Sequence, residues 1–368
     1  MEKLARRLVV PLAVLSVVAA ACSKSNSNTG ASGSSPTPSC SSTIKVGLAL
    51  DVGGLGDKGF NDAAYTGLQQ AIADGVVCAD NAKYITANAT GSDRDANMQE
   101  LASAGYNLVE GVGYAFSPGV AKIASQFPKV DFAVVDGYAT TLAGGKGAAN
   151  VTDLTFKAQE SSYLVGIAAA MQAEKDKSTN VGFLGGQGPG GLIATFQAGY
   201  QAGVASVSKS MTVQVCYIGG DVTAFNNPTA GHALSLKMYQ AGADVIYHAA
   251  GASGAGMFQA SAEKKKYAIG VDLDQYLTAS AAEQPYIITS ALKRVDTATY
   301  DTIKAVRAGK FKNGAQVFDL ANNGVGYADS NPALLTSDMV AAIDTARKKI
   351  IAGTIVVPTT PPTNAPCG

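Results

Sequence analysis

Short apolar, β-branched runs alternate with longer amphipathic segments along most of this chain. The runs predict strands over residues 44–50, 83–87, 108–112, 132–135, 181–184, 212–217, 245–248, 268–271 and 287–290. Between them, Leu68, Ala71 and Ile72 share one helical face, as do Leu234, Met238 and Ala241 ahead of Gly242, a residue suited to ending a helix. Strands alternating with helices point to parallel βαβ construction. Ligands of such sheets sit beyond the carboxyl ends of the strands, so the loops leaving those ends are where function is sought.

The first residues follow a different pattern. Lys3, Arg6 and Arg7 form a basic head before an apolar stretch, residues 8–21, that is short for a permanent membrane span and has the build of a signal peptide. It ends in Ala19-Ala20-Ala21-Cys22, small residues that fit a signal peptidase followed by a cysteine placed to receive lipid. Residues 1–22 are therefore read as a lipoprotein signal with its lipobox. Residues 23–42, rich in Ser, Asn, Gly, Thr and Pro, cannot bury a core and read as a flexible tether. Folding is expected to begin near Thr43. The body up to Val357 exceeds the size of one core, which predicts two lobes, and residues 358–368 form a Pro/Thr-rich tail.

Composition narrows the function. The 28 Lys and Arg balance 28 Asp and Glu, so the concentrated cationic face that nucleic acid requires is not expected. With Cys22 lipidated, Cys40, Cys78, Cys216 and Cys367 remain, an even number in a compartment where disulfides persist. Three pairings are possible. Cys40 and Cys78 each precede a predicted strand at the same sheet edge, which favours that pair and leaves Cys216 with Cys367 to staple the tail. There is no CxxC, and only His232 and His248 could assist a metal, so no metal site and no cofactor are expected.

The most informative loop leaves the first strand: Leu50-Asp51-Val52-Gly53-Gly54-Leu55-Gly56-Asp57-Lys58-Gly59-Phe60-Asn61. Its glycines allow close backbone approach, while Asp51, Phe60 and Asn61 supply an acceptor, a flat face and an amide. A blander reading has Asp57 capping the following helix and Phe60 packing as a staple.

The segment 46–68 resembles the signature of the basic membrane protein family, which includes the purine nucleoside receptor lipoproteins. The likeness continues through Val134-Val135-Asp136, residues 156–166, Gly185 and Gly186 leading to Phe196 and Gly199, and Phe225-Asn226-Asn227-Pro228. It extends over the glycine-rich 250–256, Gly270-Val271-Asp272-Leu273-Asp274-Gln275, and residues 290–296. The resemblance implies the α/β fold of type I periplasmic binding proteins, two doubly wound parallel-sheet lobes joined by three crossing segments. On this reading residues 43–155 and 294–320 form the N-terminal lobe, and residues 156–293 and 321–357 the C-terminal lobe.

The resemblance also implies a non-enzymatic, extracytoplasmic, lipid-anchored and monomeric substrate-binding protein of an ABC transporter, with a permease and an ATPase as partners and a purine nucleoside as ligand. The base would lie between two aromatic rings, with carboxylates and a lysine reading ribose and base edges. Matched by motif, the ligand-binding residues are Asp51, Phe60, Asn61 and Asp136 from one lobe and Phe225, Gly251, Asp272 and Lys293 from the other. Asn227 stands where an aspartate is common in the family.

The chemistry agrees with that implication. A flat, uncharged heterocycle gains most from stacking, vicinal hydroxyls donate well to carboxylates, and a phosphate would meet mostly acids. The rival classes are a similarly folded binder of a sugar or signalling molecule, and an enzyme. Sugar sites of this fold often use tryptophan, and the chain has none. Gly186-Gln187-Gly188-Pro189-Gly190-Gly191 fits GxGxxG after a strand, but the acid expected about twenty residues later is missing and Pro189 removes an amide donor. There is no GxSxG, and His248 reads as the end of a buried strand.

Overall fold

The computed structural model describes residues 40–142, 149–362 and 367; the signal segment 1–22 with Cys22, and the tether before Cys40, lie outside the described residues. Twelve strands are described, in two six-stranded sheets. In chain order they are β1 (Val46–Leu50), β2 (Ala82–Thr86), β3 (Leu108–Val112), β4 (Asp131–Val135), β5 (Val151–Phe156), β6 (Asn180–Gln187), β7 (Thr212–Gly219), β8 (Val245–Ala249), β9 (Tyr267–Asp272), β10 (Ile287–Lys293), β11 (Gly314–Phe318) and β12 (Val325–Tyr327). The sheets run β11-β5-β4-β3-β1-β2 and β12-β10-β9-β8-β6-β7, the same winding twice. The first is parallel throughout, but β12 pairs antiparallel with β10, so the second sheet is mixed at one edge.

The helices are α1 (Phe60–Ala73), α2 (Arg94–Ser103), α3 (Ser117–Ile123), α4 (Ala139–Leu142), α5 (Ala158–Lys175), α6 (Gly191–Val207), α7 (Pro228–Gln240), α8 (Gly254–Lys264), α9 (Val295–Arg307) and α10 (Ser337–Ile351). Strand side chains alternate between two faces, and each face has its own cover. In β1, Val46, Leu48 and Leu50 join the core beneath α1 and α9, whereas Ala49 joins Met98 and Leu101 of α2 and Val120 of α3. In the second sheet, Phe183 and Tyr247 face Leu164 of α5 and Tyr200 of α6, while Leu184 and Ile246 face Met238 of α7 and Met257 of α8. Ala241, expected on the buried face of α7, is exposed because that helix ends one residue earlier, at Gln240, and Gly242 takes a left-handed φ of +94°.

Three segments cross between the sheets. After β5 the chain enters α5, which packs on α6; after β10 it enters α9, which packs on α1; the segment joining β11 to β12 makes the third crossing. Phe156 and Phe318, at two of these crossings, stack with ring centroids 4.9 Å apart. Cys40 is bonded to Cys78 and Cys216 to Cys367, with Cα separations of 5.5 and 4.8 Å. No helix among the described residues is long and apolar enough to cross a membrane.

Candidate functional site

In both sheets the strand order reverses beside the first strand, which leaves a crevice beyond the carboxyl ends. Loops leaving those ends in both lobes line a single cavity of about 660 Å³, counting its mouth. Asp51 reaches it from the β1–α1 loop, Phe60 and Asn61 from the first turn of α1, and Asp136 from the end of β4. Phe225 comes from a short turn after β7, Gly251 follows β8, Asp272 ends β9 and Lys293 ends β10. All eight residues singled out in the sequence are thus brought to one place.

The β1–α1 loop is held by its own side chains. Asp57 accepts from the amides of Gly59 (3.0 Å), Asn61 (2.8 Å) and Asp62 (3.2 Å), satisfying first-turn donors of α1 and fixing Phe60 at its start. Asn61 accepts from the Asp51 amide at 2.9 Å and donates to Asp57 Oδ2 at 2.9 Å, so both ends of its amide shape the loop. Asp51 Oδ1 accepts from the Val52 amide and from Arg94 Nε, each at 2.7 Å. Burial raises the Asp51 carboxyl above its ordinary value, and the Arg94 bond and charge oppose the rise. Gly113 packs behind that carboxylate: its φ is +134°, and a Cβ there would lie 2.8 Å from Asp51 Oδ2.

Lys293, only 2% exposed, occupies the centre. Its Nζ contacts Asp136 Oδ2 and lies 4.0 Å from Asp272 Oδ1. The same ammonium is 4.4 Å from the ring centroid of Phe60, 5.2 Å from that of Phe156 and 5.8 Å from that of Phe196. Asp136 and Asp272 occupy matching places, each at the end of the fourth strand of its lobe, and both are left-handed, with φ of +56° and +64°. Aspartate tolerates that region better than most residues, yet the backbone stores strain there, as it often does at functional sites.

Asp136 Oδ1 and Asp272 Oδ1 are buried with no hydrogen-bond partner among the described residues. Burial pushes the Asp272 carboxyl up to about 7; Lys293 pulls it down, and the charges of Asp136 and Asp57 add to the rise. Burial likewise raises Asp136, against the pull of Lys293. Uncompensated buried carboxylate oxygens are costly, so this geometry favours a guest that brings donors.

The opposite wall is apolar. The Phe225 ring lies so close to Gly186 that a Cβ at 186 would strike it, and Leu192, Ile193 and Phe196 extend the surface from α6. The GxGxxG-like segment is the end of β6 and its turn into α6, and it lines an outer space next to the cavity together with Tyr138. Between the two spaces the Tyr114 hydroxyl donates to Gln187 Oε1, joining the lobes.

Sequence reasoning passed over Arg94 and Tyr114, quoted Phe196 in a family motif without giving it a place in the site, and gave Asp57 only a capping role. Tyr114 follows the carboxyl end of β3, and the strand-end rule finds it. Nothing local marks Arg94, whose partner Asp51 is 43 residues away.

The family described as ABC transporter substrate-binding protein PnrA-like (Bmp) matches residues 44–360. A CD4+ T-cell-stimulating antigen of Listeria innocua is 31% identical over 336 residues, spanning 87% of this chain and 90% of its own. The ABC transporter nucleoside-binding protein BmpA of Lactococcus lactis is 31% identical over 330 residues, spanning 86% and 89%. An ABC transporter solute-binding protein of Aeropyrum pernix has a similar structure, with a TM-score of 0.73 at 26% identity over 86% of this chain and 94% of that one.

Proposed function

The chain belongs to the Bmp family of PnrA-like ABC transporter substrate-binding proteins, and from that premise we propose that its ligand is a purine nucleoside. As a member of that family it is a binding protein and not an enzyme. It works outside the cytoplasm, handing a small molecule to a membrane permease driven by an ATPase.

The observation that carries the proposal is the pair of unpartnered carboxylate oxygens on Asp136 and Asp272, set around one ammonium and between the aromatic side chains of two lobes. A nucleoside supplies what this arrangement lacks. Its base offers flat faces to Phe60 and Phe225, each worth about 1–3 kcal/mol by analogy with base stacking on aromatic side chains. Its ribose hydroxyls donate to the buried carboxylates, and Lys293 donates to a hydroxyl or a ring acceptor. The cavity lining carries Asp51, Asp57, Asp136 and Asp272 against Lys293, a poor setting for a phosphate. The nucleoside-binding relative from Lactococcus lactis supports the same reading.

The reading extends to the N-terminus, where signal cleavage would leave Cys22 lipidated and the body tethered to the cell membrane as a monomer. Calorimetry on the mature chain with nucleosides, free bases, nucleotides and sugars tests the ligand. Purine nucleosides should bind, and nucleotides should bind far more weakly. Heat from sugars alone would overturn the proposal. For the anchor, a Cys22→Ala chain should fail to take up a labelled fatty acid and should be released into the medium.

A further inference from the structure

Gln275 is 3% exposed and follows β9 by three residues, close to the cavity but outside its lining. Its side-chain oxygen lies 2.8 Å from the Val271 amide. A backbone N–H can only donate, so that atom is the carbonyl oxygen and the amide orientation is fixed. The same oxygen lies 2.8 Å from His248 Nε2, which must therefore carry the proton, and the Gln275 backbone amide donates to Ser290 Oγ at 3.1 Å. The His248 ring is wholly buried and packs edge-on against Phe258, 5.3 Å between centroids. Three anchors in one lobe thus aim the remaining group, the Gln275 NH2, in one direction.

Its partner lies in the other lobe. Gln275 Nε2 donates to the Lys58 carbonyl at 3.0 Å, across 217 residues of sequence. Lys58 has a left-handed φ of +54° and sits between Asp57 and Phe60 in the loop that shapes the cavity. Tyr114 and Gln187 bridge the lobes on the side of the outer space, while Gln275 and Lys58 bridge them beside a small groove that shares Asp57 with the cavity.

We propose that Gln275 is a closure latch: a positioning residue that touches no ligand but holds the Phe60 loop against the second lobe and so sets how long a bound ligand stays. The latch itself follows from the two-lobed geometry; only the choice of inosine as probe rests on the nucleoside reading. A bond formed on closure and absent in the open state slows release and leaves encounter unchanged.

The test compares the unmodified mature chain with Gln275→Glu, which keeps the acceptor for Val271 and His248 but has no amide to donate, and Gln275→Met, which keeps the shape alone. Stopped-flow mixing should show inosine leaving both variants about five- to tenfold faster, the range expected for one hydrogen bond, with association within about twofold of the unmodified chain. A purely structural role would lower the melting temperature and leave release unchanged, and that result overturns the latch. Should inosine not bind the unmodified chain, the nucleoside reading falls by itself, and single-molecule fluorescence between dyes on the two lobes of the ligand-free proteins decides the latch. Shorter closed-state dwell times in both variants than in the unmodified chain support it, and equal dwell times overturn it.

Discussion

Replacing Asp272 by asparagine removes one charge and little else, since asparagine has nearly the same shape and also tolerates the left-handed backbone at this position. The structure gives both a magnitude and a pH dependence. A hydroxyl donating to an ionised carboxylate is worth about 1.5–3 kcal/mol, so Asp272→Asn should weaken inosine about 10- to 100-fold at about pH 8. The Asp272 carboxyl is pushed up to about 7 by burial, with Asp136 and Asp57 adding and Lys293 opposing. Donors on the ligand favour the ionised form, so the bound state has the lower pKa and binding expels a proton. Affinity should therefore rise with pH by up to about tenfold per unit until about 7, and then level off. Calorimetry in two buffers of different ionisation enthalpy reads that proton directly. A flat profile for the unmodified chain, or the same slope in Asp272→Asn, would refute the reasoning.

Two further outcomes are expected. Phe60→Ala should weaken inosine by about 1–3 kcal/mol in calorimetry, the worth of one stacked face, whereas a loss of thermal stability with full affinity would mean that Phe60 is only a staple. Glu110 on β3 is fully buried, accepts from Thr299 Oγ1, leaves Oε2 without a partner and has its carboxyl pushed up by burial to about 7. The raised value means that its contribution to stability is fully present below about 4.5 and is lost as pH rises to about 7. The stability of Glu110→Gln relative to the unmodified chain should grow by about 3 kcal/mol over that window in denaturant titrations, and parallel pH profiles would contradict it.

The fold was legible where strands are covered on both faces. Residues 46–50 read as a continuous apolar or small run and 108–112 as one broken only by Glu110, and both are buried throughout. Three strands were not foreseen. β5 contains Thr152 and Asp153, which look like loop residues; Asp153 is buried because its carboxylate accepts from the amides of Ala139 (3.0 Å) and Thr140 (2.9 Å), a contact no local pattern announces. β11 and β12 are short edge strands, partly exposed, with too few apolar positions to stand out. In the site, the motif residues at strand ends could be named from the chain alone. The role of Arg94, and that of Gln275 within its motif, could not, because their importance lies in partners 43 and 217 residues away.

The matched placement of Asp136 and Asp272, one at the tip of each sheet, has a mechanical corollary. Bringing the halves together takes two carboxylates and one ammonium out of water and leaves an oxygen of each acid without a donor among the described residues, so the shut form without cargo carries a desolvation cost, like a compressed spring. Cargo rich in O–H and N–H groups relaxes that compression, and handing the cargo on restores it, which helps the halves part once delivery is complete.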